Sequence, residues 1–589
     1  MNKSQFYSFL IVLFLTINTI AQTEEVVNDS IPLYTFETAF EQSGGTQTAT
    51  YEQTILFYEN LASKYPEITI RKVGTTDSGL PLHLVIFDNE QVFNPRDTDK
   101  TVVLINNGIH PGEPDGIDAT MMALRDIVKS DQLKYEYDNI MICVIPIYNV
   151  GGSLNRNSGT RANQNGPESY GFRGNALNYD LNRDFVKNDT KNSQAFAKLF
   201  HLVNPDIFVD NHVSNGADYQ YTLTHLFTQH NKLGGKIGDY LHHKMMPDIE
   251  EKLIQKGHAI TPYVNVFNSV PEKGFSQFFD SPRYSTGYTT LFNTFGLMVE
   301  THMLKPYKQR VEGTYDLMFS VFDFAIESGE SIKYLRSTAA DDIVSNGTYP
   351  IQWKLDSTKT RTLSFEGYEG SFIKSEITGQ KRLKYDRSQP FTKPVTYYDN
   401  FKATKEILIP KYYVVPKVLT RVVERLKLNN IEMHPLKSDI AIEVESYKIK
   451  DYETGRRPYE GHYLHKNTEI ESTIRHQKFN AGDFLIPTNQ PGIRYLIEVL
   501  EPEATDSFFN WNFFDVILQQ KEHFSPYVFE DLALKILEDN QQLKTAFELK
   551  KEHDEKFASN WYAQLNYIYE NSNHAEKSYL QYPIYRILE

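Results

Sequence analysis

The sequence predicts an α/β fold in which a mixed, mostly parallel sheet is sandwiched between helices. Short apolar runs rich in β-branched residues alternate with segments whose apolar residues recur at helical spacing. Residues 101–105, followed by residues 116–128, are the clearest such pair. A β-rich unit and then a mixed α/β region are predicted to follow this sheet.

The predicted elements of the sheet come in a regular order along the chain. A polar arm or loop over residues 23–47 precedes helices expected over 51–65, 115–129, 189–200 and 236–256. Strands are expected over 68–74, 82–87, 101–106, 140–147, 205–209, 220–227 and 298–301. In open α/β sheets, binding sites lie beyond the carboxyl ends of the strands. Side chains that follow strands are therefore the first candidates for a site.

Residues 1–21 are predicted to be a signal peptide. Lys3 supplies a positive charge, an apolar run covers residues 6–16, and residues 19–21 supply small side chains before a cleavage point. The apolar run is too short for a comfortable membrane span. We therefore expect an exported protein (periplasmic, outer-surface or extracellular) that starts near Gln22 and has no membrane span after signal removal. The alternative is a retained N-terminal anchor.

The charge and the cysteine content exclude two kinds of protein. The formal net charge of -15 argues against a general nucleic-acid binder or a binder of anionic membranes. A single cysteine, Cys143, excludes an intrachain disulfide. The hydrophobic fraction of 40% fits a folded globular protein, and 589 residues are too many for one core.

Two side chains that can bind zinc lie between the strand at 101–105 and the helix that follows it. His110 and Glu113 are three residues apart, and a turn at this junction can aim an imidazole and a carboxylate at one point. Another buried run ends with His212, the natural third ligand. Together they predict a His2Glu site for one zinc ion per chain, with a fourth position left for water, as in catalytic zinc sites.

A glutamate, Glu300, stands at the end of a further hydrophobic run. A carboxylate is costly to bury unless it has a partner or a function, and a general base beside a metal-bound water is such a function. Each motif alone has a structural explanation: Glu113 suits a helix N-terminus, His212 a core position, and Glu300 a pair with a structural cation. Their combination in one order favours a catalytic site.

The segment 173–185 adds arginine, asparagine and aspartate side chains. Arginine forks bind carboxylates in a bidentate manner, and a fixed cation near a metal stabilises a developing oxyanion. With this segment, the chain resembles the zinc carboxypeptidase family (peptidase M14) over about residues 50–330. The motifs that carry the resemblance are His-Pro-Gly-Glu at 110–113, Asp-Leu-Asn-Arg at 180–183, the strand-ending His212 and Val-Glu-Thr at 299–301. The distance from Arg173 to Asp-Leu-Asn-Arg resembles the regulatory, N/E-type branch.

The resemblance implies a role for each matching residue. The three predicted ligands would bind zinc, and Glu300 would move the proton from the attacking water to the leaving amine. Arg173 would polarise the scissile carbonyl, and Asp180 would orient a ligand histidine. Asn182 and Arg183 would grip the terminal carboxylate of a peptide or protein, so that only its last residue is released.

The family also uses a tyrosine on a loop shortly before the glutamate. Tyr284 and Tyr288 both compete for this role. The residues after Gly287 are predicted to be helical, which would hold Tyr288 in packing. We therefore assign Tyr284 to substrate binding.

The remaining sequence contains no metal, nucleophile or phosphate-loop pattern. Residues 348–410 alternate apolar and polar positions, with turn signals such as Glu366 to Gly370, and predict a small antiparallel unit. The predicted domains are an M14-like zinc carboxypeptidase domain at 22–335, a β-rich accessory unit at 345–412 and a mixed α/β region at 413–589.

Three functions are compatible with these residues. The leading one is an exported zinc metallocarboxypeptidase. The second is an amidohydrolase that uses the same site on cell-wall peptides or N-acyl amino acids, since these substrates also carry a free carboxylate. The third is a non-catalytic surface binding protein, which would have no need of Glu300.

Overall fold

The computed structural model describes residues 36–589, so the predicted signal peptide at residues 1–21 lies outside the described residues. Strands are numbered in chain order. Those up to residue 302 are β1 (Ile68–Thr75), β2 (Pro81–Phe87), β3 (Thr101–Asn106), β4 (Ile140–Ile145), β5 (Ile207–Ser214), β6 (Leu223–Phe227), β7 (Ile260–Pro262), β8 (Phe275–Ser276) and β9 (Phe295–His302). The α-helices of this part are Ala39–Gln42, Tyr51–Lys64, Asp115–Lys129, Asp131–Glu136, Val150–Leu154, Lys191–Val203, His230–Leu233, Gly235–Tyr240, Met246–Gln255 and Ser285–Thr290.

Eight of these strands form one sheet in the order β1-β2-β4-β3-β5-β9-β6-β7. The central strands β4, β3, β5 and β9 are parallel neighbours, as are β6 and β7. The joins β1 to β2, β2 to β4 and β9 to β6 are antiparallel. β3 and β4 are buried along their whole length, as parallel strands covered on both faces must be. The predicted α/β fold with a mixed, mostly parallel sheet is confirmed.

Helices cover both faces of this sheet. On one face, Phe196 of the helix Lys191–Val203 and Leu104 of β3 belong to the same buried core. Alternate side chains of a strand point to the opposite face. There the helices Asp115–Lys129 and Tyr307–Asn346 pack on each other and on the sheet. The carboxyl ends of β3, β5 and β9 stay uncovered by these helices and carry the predicted site residues.

Further β-sheets and helices follow residue 302. The strands are β10 (Thr348–Leu355), β11 (Arg361–Lys374), β12 (Lys381–Tyr398), β13 (Phe401–Leu408), β14 (Tyr412–Val415), β15 (His434–Pro435), β16 (Ile440–Thr454), β17 (His465–Phe479), β18 (Phe484–Pro487) and β19 (Gln581–Ile587). The α-helices are Tyr307–Asn346, Thr420–Leu428, Ile493–Leu500, Pro526–Asp539, Gln541–His553, Glu555–Ala558 and Trp561–Glu570. Among the described residues, none of the helices combines the length and apolar content that a membrane crossing requires.

The later strands form three separate sheets. β10 pairs with β13, β11 and β12 form a long hairpin that extends to β8, and a six-stranded sheet has the order β15-β18-β14-β19-β16-β17. The pairing of β8 with β12 joins residues 275–276 to residues 397–398. The domain boundaries at residues 335, 345 and 412 stay predictions.

One local prediction was wrong. The glycines between Glu366 and Gly370 indicate a turn, but β11 runs straight through them, with Glu366 opposite Thr392. Glycine serves close packing here instead, because a Cβ on Gly367 would lie 2.5 Å from the Phe391 ring. The pairing of β11 with β12 shifts after Tyr368, and the extra residues lie on β12.

Candidate metal and active site

His110 and Glu113 lie in the tight turn that connects β3 to the helix Asp115–Lys129. The backbone N–H of Glu113 donates to the carbonyl of His110 at 2.8 Å, which brings the two side chains to the same side of the turn. Both are buried. The His110 Nδ1 atom lies 3.3 Å from Glu113 Oε1.

His212 completes the group from the neighbouring strand β5. Its Nδ1 atom lies 3.2 Å from Glu113 Oε2, and the same oxygen accepts the backbone N–H of Val213 at 2.8 Å. One ligand atom from each of His110, Glu113 and His212 lies within 4.8 Å of the other two. The structure thus brings together the three predicted ligands, although His212 lies 99 residues beyond Glu113 in sequence.

The far nitrogen of each histidine is held by a carboxylate. His110 Nε2 lies 2.9 Å from Asp180 Oδ1, and His212 Nε2 lies 2.8 Å from Asp210 Oδ2. A carboxylate there fixes the ring and leaves Nδ1 free to bind a metal, the usual arrangement around zinc. The buried Nδ1 of His110 has no hydrogen-bond partner among residues 36–589, which is unfavourable unless a metal binds it. The donor set therefore fits a zinc ion.

The charges around Glu113 favour its ionised form. Burial alone would raise the pKa of this carboxyl, but Arg161 and His110 outweigh burial and hold the pKa well below its ordinary value. For His212, burial alone would lower the pKa, but Asp210 and Glu113 raise it well above its ordinary value. Glu113 is therefore an anionic carboxylate beside a protonated His212 ring, which must lose its proton before it binds a metal ion.

Glu300 lies on β9 directly beside His212. The two residues are register partners in parallel strands, so their side chains leave the sheet on the same face. Glu300 opens into a cavity of about 610 Å³ that also exposes the three candidate ligands. Desolvation raises the pKa of Glu300 to about 7, partly offset by His212. A carboxyl that gains and loses its proton near neutral pH is suited to acid and base catalysis.

The arginines of segment 173–185 lie at the edge of the same cavity. Arg173 donates from Nε and Nη2 to Asp180 Oδ2, both at 2.9 Å, and its Nη1 lies 3.5 Å from Glu113 Oε1. Arg183 donates to the carbonyl of Asn182 at 2.7 Å. The Asn182 side chain accepts the backbone N–H of Ser285 at 3.1 Å. These contacts pre-position both cations before any substrate enters.

Of the two competing tyrosines, only Tyr284 lines the cavity. Its ring lies under the Arg183 guanidinium, 4.5 Å from the ring centroid, and edge-on to Phe278. Tyr288 is fully buried in the helix Ser285–Thr290, and its hydroxyl donates to Asn429 at 2.6 Å. This geometry supports the choice of Tyr284.

Among the cavity residues that no sequence motif marks, Arg161 has the most direct contact with the predicted ligands. Arg161 lies in the loop after the helix Val150–Leu154, and its Nη2 is 2.8 Å from Glu113 Oε1. Its Nε donates to Gln164 Oε1 at 2.6 Å, which fixes the side chain. A single arginine in a polar loop has no periodicity or motif, so its sequence offered no usable signal.

Three histidines outside the predicted site have structural partners. His225 pairs with Glu250 at 2.6 Å, and His258 pairs with Asp316 at 2.8 Å. The ring of His302 stacks on Tyr219 at 4.1 Å, away from the cavity. None of the three belongs to the metal-binding group found among the described residues.

Several known carboxypeptidases are similar to this chain. Residues 55–205 match the model of the zinc carboxypeptidase family. Carboxypeptidase 2 of Trichophyton equinum is 21% identical over 503 residues, which cover 79% of this chain and 84% of that protein. Carboxypeptidase 2 of Trichophyton rubrum is 21% identical over 506 residues, with the same coverage. The metallo-carboxypeptidase of Burkholderia cenocepacia superposes with a TM-score of 0.37 at 14% identity, over 48% of this chain and 70% of its own.

The matched segment contains His110, Glu113 and Arg173, whereas His212 and Glu300 lie beyond it. The likeness to the N/E-type branch stays a prediction. The resemblance that the motifs indicate is confirmed at the level of the family: residues 55–205 match the zinc carboxypeptidase (M14) model, and the curated relatives are carboxypeptidases.

Proposed function

We propose that the protein is an exported zinc metallocarboxypeptidase that hydrolyses the C-terminal peptide bond of peptides or proteins. The observation that carries the proposal is the convergence of His110, Glu113 and His212 through their Nδ1 and carboxylate atoms, with Glu300 in register beside His212. A binding protein would need neither an orphaned ligand nitrogen nor a carboxyl with a pKa near 7.

The proposed chemistry divides among the described residues. When bound, zinc would polarise the scissile carbonyl and acidify a water molecule. Glu300 takes a proton from the attacking water and returns it to the leaving amine. Arg173 lies next to Glu113 and donates hydrogen bonds to the oxygen on which negative charge develops.

Asn182, Arg183 and Tyr284 give the proposal its exopeptidase character. Their side chains line one end of the cavity, and a guanidinium held over a tyrosine ring presents its free N–H groups to an incoming carboxylate. Only a substrate with its terminal carboxylate at this end places its last peptide bond near the ligands and Glu300. Release of one residue at a time follows from this geometry.

The experiment is zinc analysis and digestion of a mixed peptide library by the purified 22–589 chain, with Glu300→Gln alongside. We expect one zinc per chain, single-residue trimming from the C-terminus, and a loss of turnover in Glu300→Gln of at least about 10²-fold with zinc retained. A Glu300→Gln protein with near-normal turnover would refute the assignment of the base. Zinc without trimming, but with cleavage of cell-wall peptides or acyl amino acids, would replace the carboxypeptidase by the amidohydrolase. Absence of zinc would leave the non-catalytic binding protein.

A further inference from the structure

The hairpin β16–β17 belongs to the carboxy-terminal region, yet its tip lies against the candidate site. In this hairpin tip, residues 455–464, Tyr459 and His462 exchange backbone hydrogen bonds with N···O distances of 2.7 and 3.0 Å. Glu460 and Gly461 are therefore the central pair of a two-residue turn. Their φ angles of +48° and +79° match a type I′ turn.

Glutamate is an unusual choice for this turn. Type I′ turns favour asparagine, aspartate and glycine, because a left-handed backbone crowds larger side chains. The carboxylate of Glu460 has a definite partner, however: its Oε2 accepts the backbone N–H of Asp180 at 2.9 Å. Gly461 lies so close to Tyr179 that an added Cβ would come within 2.8 Å of the Tyr179 hydroxyl. The turn thus brings an acceptor to the peptide at the start of the Asp180–Arg183 segment.

Asp180 is the residue through which this contact reaches the site. Its Oδ1 holds His110 Nε2, and its Oδ2 holds the Arg173 guanidinium. Among the hydrogen bonds of the described residues, the one from the Asp180 N–H to Glu460 is the only one that joins Asp180 to the hairpin tip. A shift of this peptide would move both a zinc ligand and the cation that faces the scissile carbonyl.

The hairpin tip has other anchors that do not involve Glu460. His462 Nε2 lies 2.6 Å from Asp189 Oδ2. The Tyr459 ring stacks on Trp511, over which the Arg283 guanidinium lies at 4.9 Å. These contacts would keep the hairpin tip docked if the Glu460 carboxylate were removed.

We propose that Glu460 is a positioning residue for the peptidase site, acting through Asp180, so that the carboxy-terminal region forms a working part of that site. The expected change in KM rests on the proposed function, whereas the expected effect on zinc retention does not. Glu460 contacts neither the ligands nor the cavity and is not itself catalytic.

Glu460→Gly tests the proposal sharply. Glycine accepts a positive φ without strain, so the turn persists while the carboxylate disappears. We expect an unchanged or higher urea midpoint, together with about tenfold faster zinc release to a chelator and about tenfold higher KM for a C-terminal peptide. Glu460→Gln keeps an acceptor oxygen and should restore most of both values. A merely structural role would instead lower stability and leave zinc release unchanged.

The matched control is Glu469→Ala, which removes an exposed glutamate from the same hairpin, where its side chain pairs with Lys450 at 3.2 Å. It should behave as wild type in all three measurements. The proposal is overturned if Glu460→Gly stays within twofold of wild type in zinc release. If the wild-type chain trims no peptide, the proposed function fails, and zinc release alone still decides the role of Glu460.

Discussion

Asp180→Asn tests the carboxylate that contacts both His110 and Arg173 in the candidate site. Asp180 accepts from His110 Nε2 and from the Arg173 guanidinium, each at 2.9 Å, and its side chain is 14% exposed. Burial alone would raise its pKa, but His110 and Arg173 lower it far below the ordinary value. The group is therefore ionised whenever the site is assembled.

Asparagine keeps the shape of this side chain but offers one oxygen and one NH2 donor. It can satisfy His110 or Arg173, and it turns a donor toward the other partner. A hydrogen bond to a charged group contributes about 1.5–3 kcal/mol. At about 1.4 kcal/mol per decade, the loss of one such contact corresponds to about 10- to 100-fold weaker zinc binding.

The assay is competition for zinc with a chelator of known affinity, at one pH and ionic strength. Asp316→Asn is the matched control, because Asp316 holds His258 Nε2 at 2.8 Å outside the cavity. It should leave zinc affinity unchanged. Asp180→Asn with zinc affinity within twofold of wild type would show that Asp180 does not orient a ligand, and would refute the reasoning.

Two further predictions concern the tyrosines and a buried carboxyl. Tyr288→Phe should lower the free energy of unfolding by about 1 kcal/mol, because it removes a hydrogen bond to the buried Asn429, and should leave turnover unchanged. Tyr284→Phe should raise KM and leave the urea midpoint unchanged. If Tyr288→Phe instead raised KM and Tyr284→Phe lowered stability, the roles of the two tyrosines would be exchanged. Burial raises the pKa of Glu498 to about 7, so its contribution to stability is full below pH 4.5 and is lost as the pH rises through 7. In urea unfolding from pH 5 to pH 8, the free energy of unfolding of Glu498→Gln should fall by up to about 3 kcal/mol less than that of wild type. The same pH dependence in both proteins would contradict this prediction.

The sequence by itself determined the main sheet and much of the metal-binding group. Apolar runs end at the positions that carry His212 and Glu300, and a strand-to-helix turn carries His110 and Glu113. Such features depend on neighbours a few residues away, because backbone geometry makes strand ends and turns local properties. Parallel strands then align their carboxyl ends, so residues near those ends converge without further information.

Only the tertiary structure decided the surroundings of this group. Arg161 contacts Glu113, and Glu460 contacts Asp180 across 280 residues of sequence, without any motif to announce either contact. The glycines at 367 and 370 indicate a turn in sequence, but both lie inside a strand, where Gly367 packs closely against Phe391. Contacts of this kind arise from how whole sheets and hairpins pack, since the free energy of burying shared surface selects them. Local propensity and motif spacing therefore do not predict these contacts.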